Sequence, residues 1–392
     1  MKRLLIYITC WLTLLPVLSQ LPEETVLRQI EAANPTLKVL RRQIEANKLA
    51  NRTGIQLPDP EVEFNYLWGN PVASANRVDF SVSQSFDFPT VYTHKRKLAE
   101  MENDNQELVY RAERMKLLTQ ARKLLVDLTR VNAMLKLYSE RVDQLRRLTA
   151  AVEKRFSVGD ATVLERNKAQ LKLAQLLVLY GQFQLEKASL QSELNGLNGD
   201  EVLDWQYDTL VLDELPSDFE NWYVEAAENN PVLEHVRRRV GIDTHKVQLR
   251  KAEALPRFKT GYMSEQVGVE KFQGVSVGIS IPLWEHKNKV KQAQFQVKAV
   301  EQEEQSMQKH FYNRLRSLYY QYGQLHTTVG QLRQSLAKYD ASCLLTKALE
   351  SGEISLYTYL QELDYSTEGK KQLIEVEREL GLLMSELKSV EL

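Results

Sequence analysis

Long stretches in which every third or fourth residue is apolar alternate along this chain with short runs in which every second residue is. From Thr90 to Val158 there is neither proline nor glycine, a span of 69 residues. Proline breaks helices and glycine weakens them, so the gap permits one very long helix over 90–158. Within it Leu117, Ala121, Leu124, Leu128, Val131, Leu135, Tyr138, Val142 and Leu145 step by alternating fours and threes, with Arg and Lys prominent between them. That is a heptad seam. At 1.5 Å per residue such a helix runs roughly 100 Å, more than a globular core uses, so it must pack along other helices or cross a wide gap. No proline follows Pro282, and Leu318, Tyr322, Leu325, Val329, Leu332, Leu336, Tyr339 and Cys343 repeat the stepping inside a second long helix expected over 284–350. Cys343 thereby falls on an apolar seam, where a small buried residue is the ordinary reading.

The period-two runs predict four strands, over 61–69, 77–88, 257–265 and 273–282. Val62, Phe64, Tyr66 and Trp68 alternate with Glu61, Glu63, Asn65 and Leu67; Val78, Phe80 and Val82, then Phe86 and Phe88, alternate with Asp79, Ser81, Ser83, Ser85 and Asp87. In the second pair, Phe258, Thr260 and Tyr262 alternate with Lys259 and Gly261. Val275, Val277, Ile279 and Ile281 alternate there with Ser276, Gly278 and Ser280. Apolar residues on one side and small or polar residues on the other, over about ten residues, are the mark of a transmembrane β-barrel strand. An ordinary hairpin with one face on a core gives the same alternation. Here no other sheet and no globular helix pattern is present to cover the apolar side. Four strands cannot close a barrel, and an open edge invites pairing with another chain. A dimer supplies eight strands and a trimer twelve, of which only the larger ring leaves an aqueous interior.

The same order of landmarks occurs twice. Glu31-Ala32-Ala33-Asn34-Pro35 returns as Glu225-Ala226-Ala227-Glu228-Asn229-Asn230-Pro231, Phe88-Pro89 as Ile281-Pro282, and Val158-Gly159-Asp160 as Ser351-Gly352-Glu353. Pro89 and Pro282 are 193 residues apart (282 − 89), and so are Gly159 and Gly352 (352 − 159). Equal helical spans between similar landmarks indicate duplication. The expected organisation is a first repeat over 20–199 with its return helix at 160–198, and a linker over 200–217. A second repeat over 218–392 follows, with its return helix at 353–390. The linker is acidic and carries Trp205 and Tyr207; Ser217 and Glu220 suit a capping box for the helix that follows.

Composition narrows the choice. With 51 basic against 52 acidic residues no global field favours nucleic acid, and no basic run with interleaved aromatics exists. Met1-Lys2-Arg3, the apolar run Leu4 to Leu15, and Val17-Leu18-Ser19 before Gln20 read as an export signal over 1–19. That run is too short to span a bilayer, and no later apolar stretch has the length of a transmembrane helix. Cys10 sits inside the run, after Thr9, which does not match a lipidation site.

The order of helix, strand pair, very long helix, glycine tip and return helix, given twice, resembles the TolC-like outer-membrane efflux family over essentially the whole mature chain. The most specific parts are the segments Arg155-Phe156-Ser157-Val158-Gly159-Asp160-Ala161-Thr162-Val163-Leu164-Glu165 and Leu349-Glu350-Ser351-Gly352-Glu353-Ile354-Ser355-Leu356. They are similar to that family's helix–helix turns. The resemblance implies a mainly α protein with a transmembrane β part: a homotrimer whose twelve-stranded barrel, four strands per protomer, continues into a helical periplasmic tunnel. It implies an outer-membrane location, contact with outer-membrane lipid, and docking to a periplasmic adaptor and an inner-membrane pump of the RND or ABC type. The compact length is similar to the cobalt-zinc-cadmium and copper-silver branch, with heavy-metal cations or small toxic compounds as implied cargo.

On this reading Val158, Gly159, Asp160, Ser351, Gly352 and Glu353 are the adaptor-docking tips. The row Asp79, Ser81, Ser83, Ser85, Asp87, Ser276 and Ser280 faces the barrel lumen. Some family members close the tunnel with carboxylates six and nine positions after the second tip glycine; here those positions are Thr358 and Gln361. Glu165, Glu362 and Asp364 are therefore the candidate gate, with a solvated helix face as the alternative for each. Chemistry is otherwise sparse. His94, His235, His245, His286, His310 and His326 are dispersed without a His-x-x-x-His pair, and neither a phosphate loop nor a nucleophile elbow is present. No metal, cofactor or enzymatic activity is expected. His94 and His286 fall just after the strands, where a polar collar is the plainer reading. Two functions stay open: a passive export conduit, and an envelope coiled-coil tether that conducts nothing.

Overall fold

The structure, a computed structural model, describes residues 22–70, 75–211, 213–284, 286–339 and 342–391. The signal segment, Cys10 with it, and the side chain of Cys343 lie outside the described residues. In chain order the elements are α1 (Glu23–Ala33), α2 (Pro35–Arg52), β1 (Glu61–Leu67), β2 (Arg77–Phe86), α3 (Pro89–Ser157), α4 (Val163–Leu197), α5 (Phe219–Asn229), α6 (Pro231–Glu253), β3 (Arg257–Val267), β4 (Glu270–Ser280), α7 (Lys289–Tyr339), α8 (Ser342–Glu350) and α9 (Leu356–Leu387), then a 3-10 turn at Lys388–Glu391.

The proline–glycine gap became one helix: α3 has 69 residues and stops where Gly159 turns left-handed. The second long helix differs from the expected 284–350. It starts at Lys289, because the chain turns over 286–288: the N–H of Lys287 bonds to the carbonyl of Trp284, and Asn288 sits at φ +70°. Its far part is described as a separate helix, α8. Each expected leading helix is a pair, α1 with α2 and α5 with α6. The breaks fall at Asn34-Pro35 and Asn230-Pro231, where the proline has no N–H to continue the first helix and fits the first turn of the second. Both asparagines cap: Asn34 Oδ1 accepts from Leu37 N–H at 3.0 Å, and Asn230 Oδ1 from Val232 and Leu233 N–H at 2.9 and 3.2 Å. The expected Ser217–Glu220 capping box is not formed. Asp218 caps α5 instead, its carboxylate accepting from Glu220 and Asn221 N–H, and its charge suits the positive helix end.

Two compact units cut across the expected repeats. Among the described residues, one comprises the segment ending at Ala33, Ala121–Leu212 and Thr327–Leu382; the other Asn34–Gln120, Asp213–His326 and Leu383–Leu392.

The first unit is helix on helix. Of the nine α3 seam residues, seven are buried: Ala121, Leu124, Leu128, Val131, Tyr138, Val142 and Leu145. The lower part of that seam packs with Leu176 of α4 and with Leu356, Tyr359, Leu360 and Leu363 of α9. Arg130 is buried among them and answered by Glu186 and Glu375. Residues 201–211 of the linker form no regular structure and lie as a strap along α3. Trp205 is buried and donates its indole N–H to Thr129 Oγ1 at 2.9 Å, and Asn132 Nδ2 donates to the carbonyls of Trp205 and Tyr207.

The second unit carries the sheet. Beneath its strand ends Val91 of α3 and Leu249 and Ala252 of α6 are buried together, with Phe88 and Leu98 against them. Farther along, Phe219 of α5 is buried against Tyr223, Tyr312 and Tyr319. Tyr322 donates its hydroxyl to the carbonyl of Asp213, and burial pushes its phenol up to about 12.

Candidate functional site

The four strands form one antiparallel sheet in the order β1-β2-β3-β4. Strand β1 ends two residues before the expected 69 and β2 at Phe86, while β3 and β4 join through a tight turn with Gly268 at φ +61°. Glycine at the first central position gives a turn whose twist matches the strands, and this fixes the register. Phe64 faces Phe80, Val82 faces Tyr262, and Tyr262 faces Val275. Apolar positions therefore align across all four strands on one side. That side is open: Phe64 is 66% exposed, and Val275 and Val277 are each 83% exposed. Each such side chain left in water forgoes about 1.5–3 kcal/mol of burial.

The opposite side is mostly small and polar, with Met263 and Phe272 among its large apolar exceptions. Ser83 faces Gly261 and Gly261 faces Ser276; Asp79, Ser81 and Ser85 share this side with Ser280. Charges on it are paired: Arg77 with Asp79 and Glu265 at 2.8 and 3.3 Å, and Lys259 with Glu61 at 3.0 Å. Asp87 lies past the end of β2, so it is not a strand residue. Its carboxylate meets Lys95 and Arg257 at 3.4 and 3.3 Å, tying the strand ends to α3.

The two glycine tips, within the helical unit, share one geometry. At the first, Gly159 has φ +81°, its N–H bonds to the carbonyl of Phe156, and the N–H of Asp160 bonds to the carbonyl of Arg155. At the second, Gly352 has φ +77°, its N–H bonds to Leu349, and the N–H of Glu353 bonds to Ala348. Both are Schellman closures, in which glycine takes the left-handed position and the last helical carbonyls gain donors. Val158, Asp160, Ser351 and Glu353 are all exposed.

The first tip has an additional brace. Arg155 grips Asp160 through its carboxylate at 2.8 Å and its carbonyl at 2.9 Å, and the hydrogen bond to the carboxylate raises the guanidinium pKa. Arg166 lies over the Phe156 ring at 4.3 Å.

The candidate gate residues sit in different surroundings. Glu165 is the far half of a capping box on α4. It accepts from the Thr162 N–H at 2.8 Å and hydroxyl at 2.9 Å, while Thr162 Oγ1 accepts from Glu165 N–H. Those bonds, first the backbone one, hold its carboxyl below the usual carboxylate range. Asp364 of α9 is bound by Lys172 of α4 at 2.6 Å, and Glu362 is exposed. The Thr-x-x-Glu spacing was a legible signal for the cap. Arg155 as a brace and Lys172 as a partner carry no such local signal. The rings of His94 and His245 lie 5.1 Å apart and tilted, and among the described residues no group of three or more His, Cys, Asp or Glu could hold a metal ion.

The outer membrane efflux protein family matches residues 68–196. A comparison with curated proteins found no match. Several solved structures share the fold. A membrane protein from Pseudomonas aeruginosa is 14% identical, with a TM-score of 0.79 over 94% of this chain and 92% of that one. CusC, solved in a study of folding and transmembrane channel formation, is 14% identical with a TM-score of 0.78 over 94% and 91%. The CmeC outer membrane channel of Campylobacter jejuni is 13% identical with a TM-score of 0.77 over 94% and 85%.

Proposed function

We propose that the chain is a TolC-like outer-membrane efflux protein and that it is the channel component of a tripartite efflux system. It acts as a passive conduit, not an enzyme, for substrates delivered by an inner-membrane pump through a periplasmic adaptor. The observation that carries this reading is the two-faced sheet. Among the described residues its apolar side is uncovered, and its other side carries mostly serine, glycine and paired charge, which suits lipid outside and water inside. The order ends on unpaired edges at β1 and β4. In a homotrimer β4 of one protomer pairs with β1 of the next, and twelve strands close around an aqueous lumen.

Asp79, Ser81, Ser83, Ser85, Ser276 and Ser280 then line the lumen, with Asp87 at its foot. The chain reads as an internally duplicated half-unit, and the matching Schellman tips and Asn-Pro breaks support that. The exposed tips, centred on Gly159 and Gly352, are the adaptor-docking surface. Heavy-metal cations or small toxic compounds are the proposed cargo, chosen by the pump. The test is extraction of the full chain from outer membranes and reconstitution in planar bilayers. A heat-modifiable trimer that conducts supports the duct; a soluble periplasmic protein without conductance would leave the tether reading instead.

A further inference from the structure

We propose that the foot of the sheet, centred on the β4–α7 junction, binds anionic phospholipid headgroups; this rests on reading the sheet as membrane-spanning. Beyond β4 the apolar row does not stop: Leu283 and Trp284 follow, 67% and 81% exposed. Immediately after them come Lys287, Lys289 and Lys291, and over 281–291 the sequence sets these three lysines against one carboxylate, Glu285. Lys287 and Lys291 are exposed and have no ion-pair partner among the described residues. Two neighbouring junctions reach the same end of the sheet and do the same. Helix α3 exposes Arg96 shortly after β2, and α6 exposes Lys251 shortly before β3.

Not every cation there is available. Lys95 and Arg257 are held by Asp87 and brace the fold, and Lys289 has a partner of its own, so Lys287, Lys291, Arg96 and Lys251 are the open set. The other end of the sheet has no such excess. Arg77 is answered there by Asp79 and Glu265, and Lys271 follows Glu270 at the start of β4. The foot therefore combines what an interfacial anchor needs: an exposed indole that prefers the boundary between hydrocarbon and headgroup, and unpaired cations one or two turns beyond it. Phosphate headgroups carrying a net negative charge are the complementary ligand, and each cation near such a surface contributes about fivefold to affinity.

The test uses full-length protein in detergent, titrated with phosphatidylglycerol or phosphatidylcholine of identical chains and read by native mass spectrometry. Wild type should retain phosphatidylglycerol at roughly one tenth the concentration needed for phosphatidylcholine. K287Q/K291Q should cut that preference more than fivefold, K287R/K291R should keep it, and high salt should weaken it. If K287Q/K291Q does not fold, R96Q/K251Q carries the same comparison. Equal retention of the two lipids, or a preference unchanged in these variants, overturns the proposal. Insertion of wild type into phosphatidylcholine vesicles separates the two readings. Insertion without headgroup preference removes this inference alone, while failure to insert at all removes the membrane-spanning sheet.

Discussion

Lys172 of α4 donates to the Asp364 carboxylate of α9 at 2.6 Å, and one turn nearer the Gly159 tip Lys168 of α4 lies 4.0 Å from the Tyr357 ring centroid. The two contacts fasten the return helices to each other. If the duct opens by parting them, Lys172→Ala should raise the open fraction. Asp364 is half exposed, so the pair contributes about 0–1 kcal/mol and the shift is at most about fivefold. Single-channel recordings check this, and the charge swap K172D/D364K should restore the wild-type fraction. Unchanged closed-state conductance in both Lys172→Ala and Asp364→Ala would remove the pair from gating.

What was legible in the sequence is what local chemistry decides. The bounds of α3 follow from Pro89 and Gly159 because those residues break helices whatever surrounds them. The strands follow from alternation, and both tips from glycine. The misses are choices that tertiary placement makes. Ser217 and Asp218 are both good caps, and position selected Asp218. Glu165 also caps α4, a role that its spacing from Thr162 spells in the sequence. The partnership of Lys172 with Asp364 joins residues 192 positions apart, beyond any local pattern.

Gly261 packs the sheet with no room for a side chain. A Cβ there would meet the Val82 carbonyl oxygen at 2.6 Å and Ser276 Oγ at 3.0 Å. Gly278, on the same polar side, would meet nothing nearer than Lys259 Cβ at 3.7 Å. Gly261→Val should therefore destabilise the sheet by at least ~1–3 kcal/mol, and Gly278→Ala should be close to neutral. The heat-modifiable fraction on gels reads the difference. Equal fractions for the two variants would contradict the register around Gly261.

The Thr162–Glu165 box predicts an acid response at the first tip. The folded pKa of Glu165 is lowered, so its ionised form favours the folded tip. That contribution is fully present above the ordinary glutamate pKa of about 4.3, and it is lost as pH falls through the lower folded value. Thr162→Ala removes the other half of the box and should cost about 1 kcal/mol at neutral pH. Amide hydrogen exchange in the first turn of α4 should quicken in Thr162→Ala, and below pH 4 in wild type after correction for intrinsic rates. Protection that stays flat across that range would show the box to be idle.

The tip glycines separate backbone demand from crowding. No atom lies within 4 Å of where a Cβ would stand at Gly159 or at Gly352, so any penalty of substitution comes from φ alone, +81° and +77°. A β-branched residue pays most in the left-handed region and asparagine least, with ordinary residues costing about 1–2 kcal/mol. Gly159→Val and Gly352→Val should each distort the Schellman closure and weaken capture of the adaptor by roughly 5–30-fold, the equivalent of that cost. Gly159→Asn and Gly352→Asn should bind nearly as wild type does. Surface capture of the trimer on immobilised adaptor gives the comparison. Valine variants that bind as tightly as the asparagine ones would mean the adaptor does not read the turn, and docking would then have to be sought away from the tips.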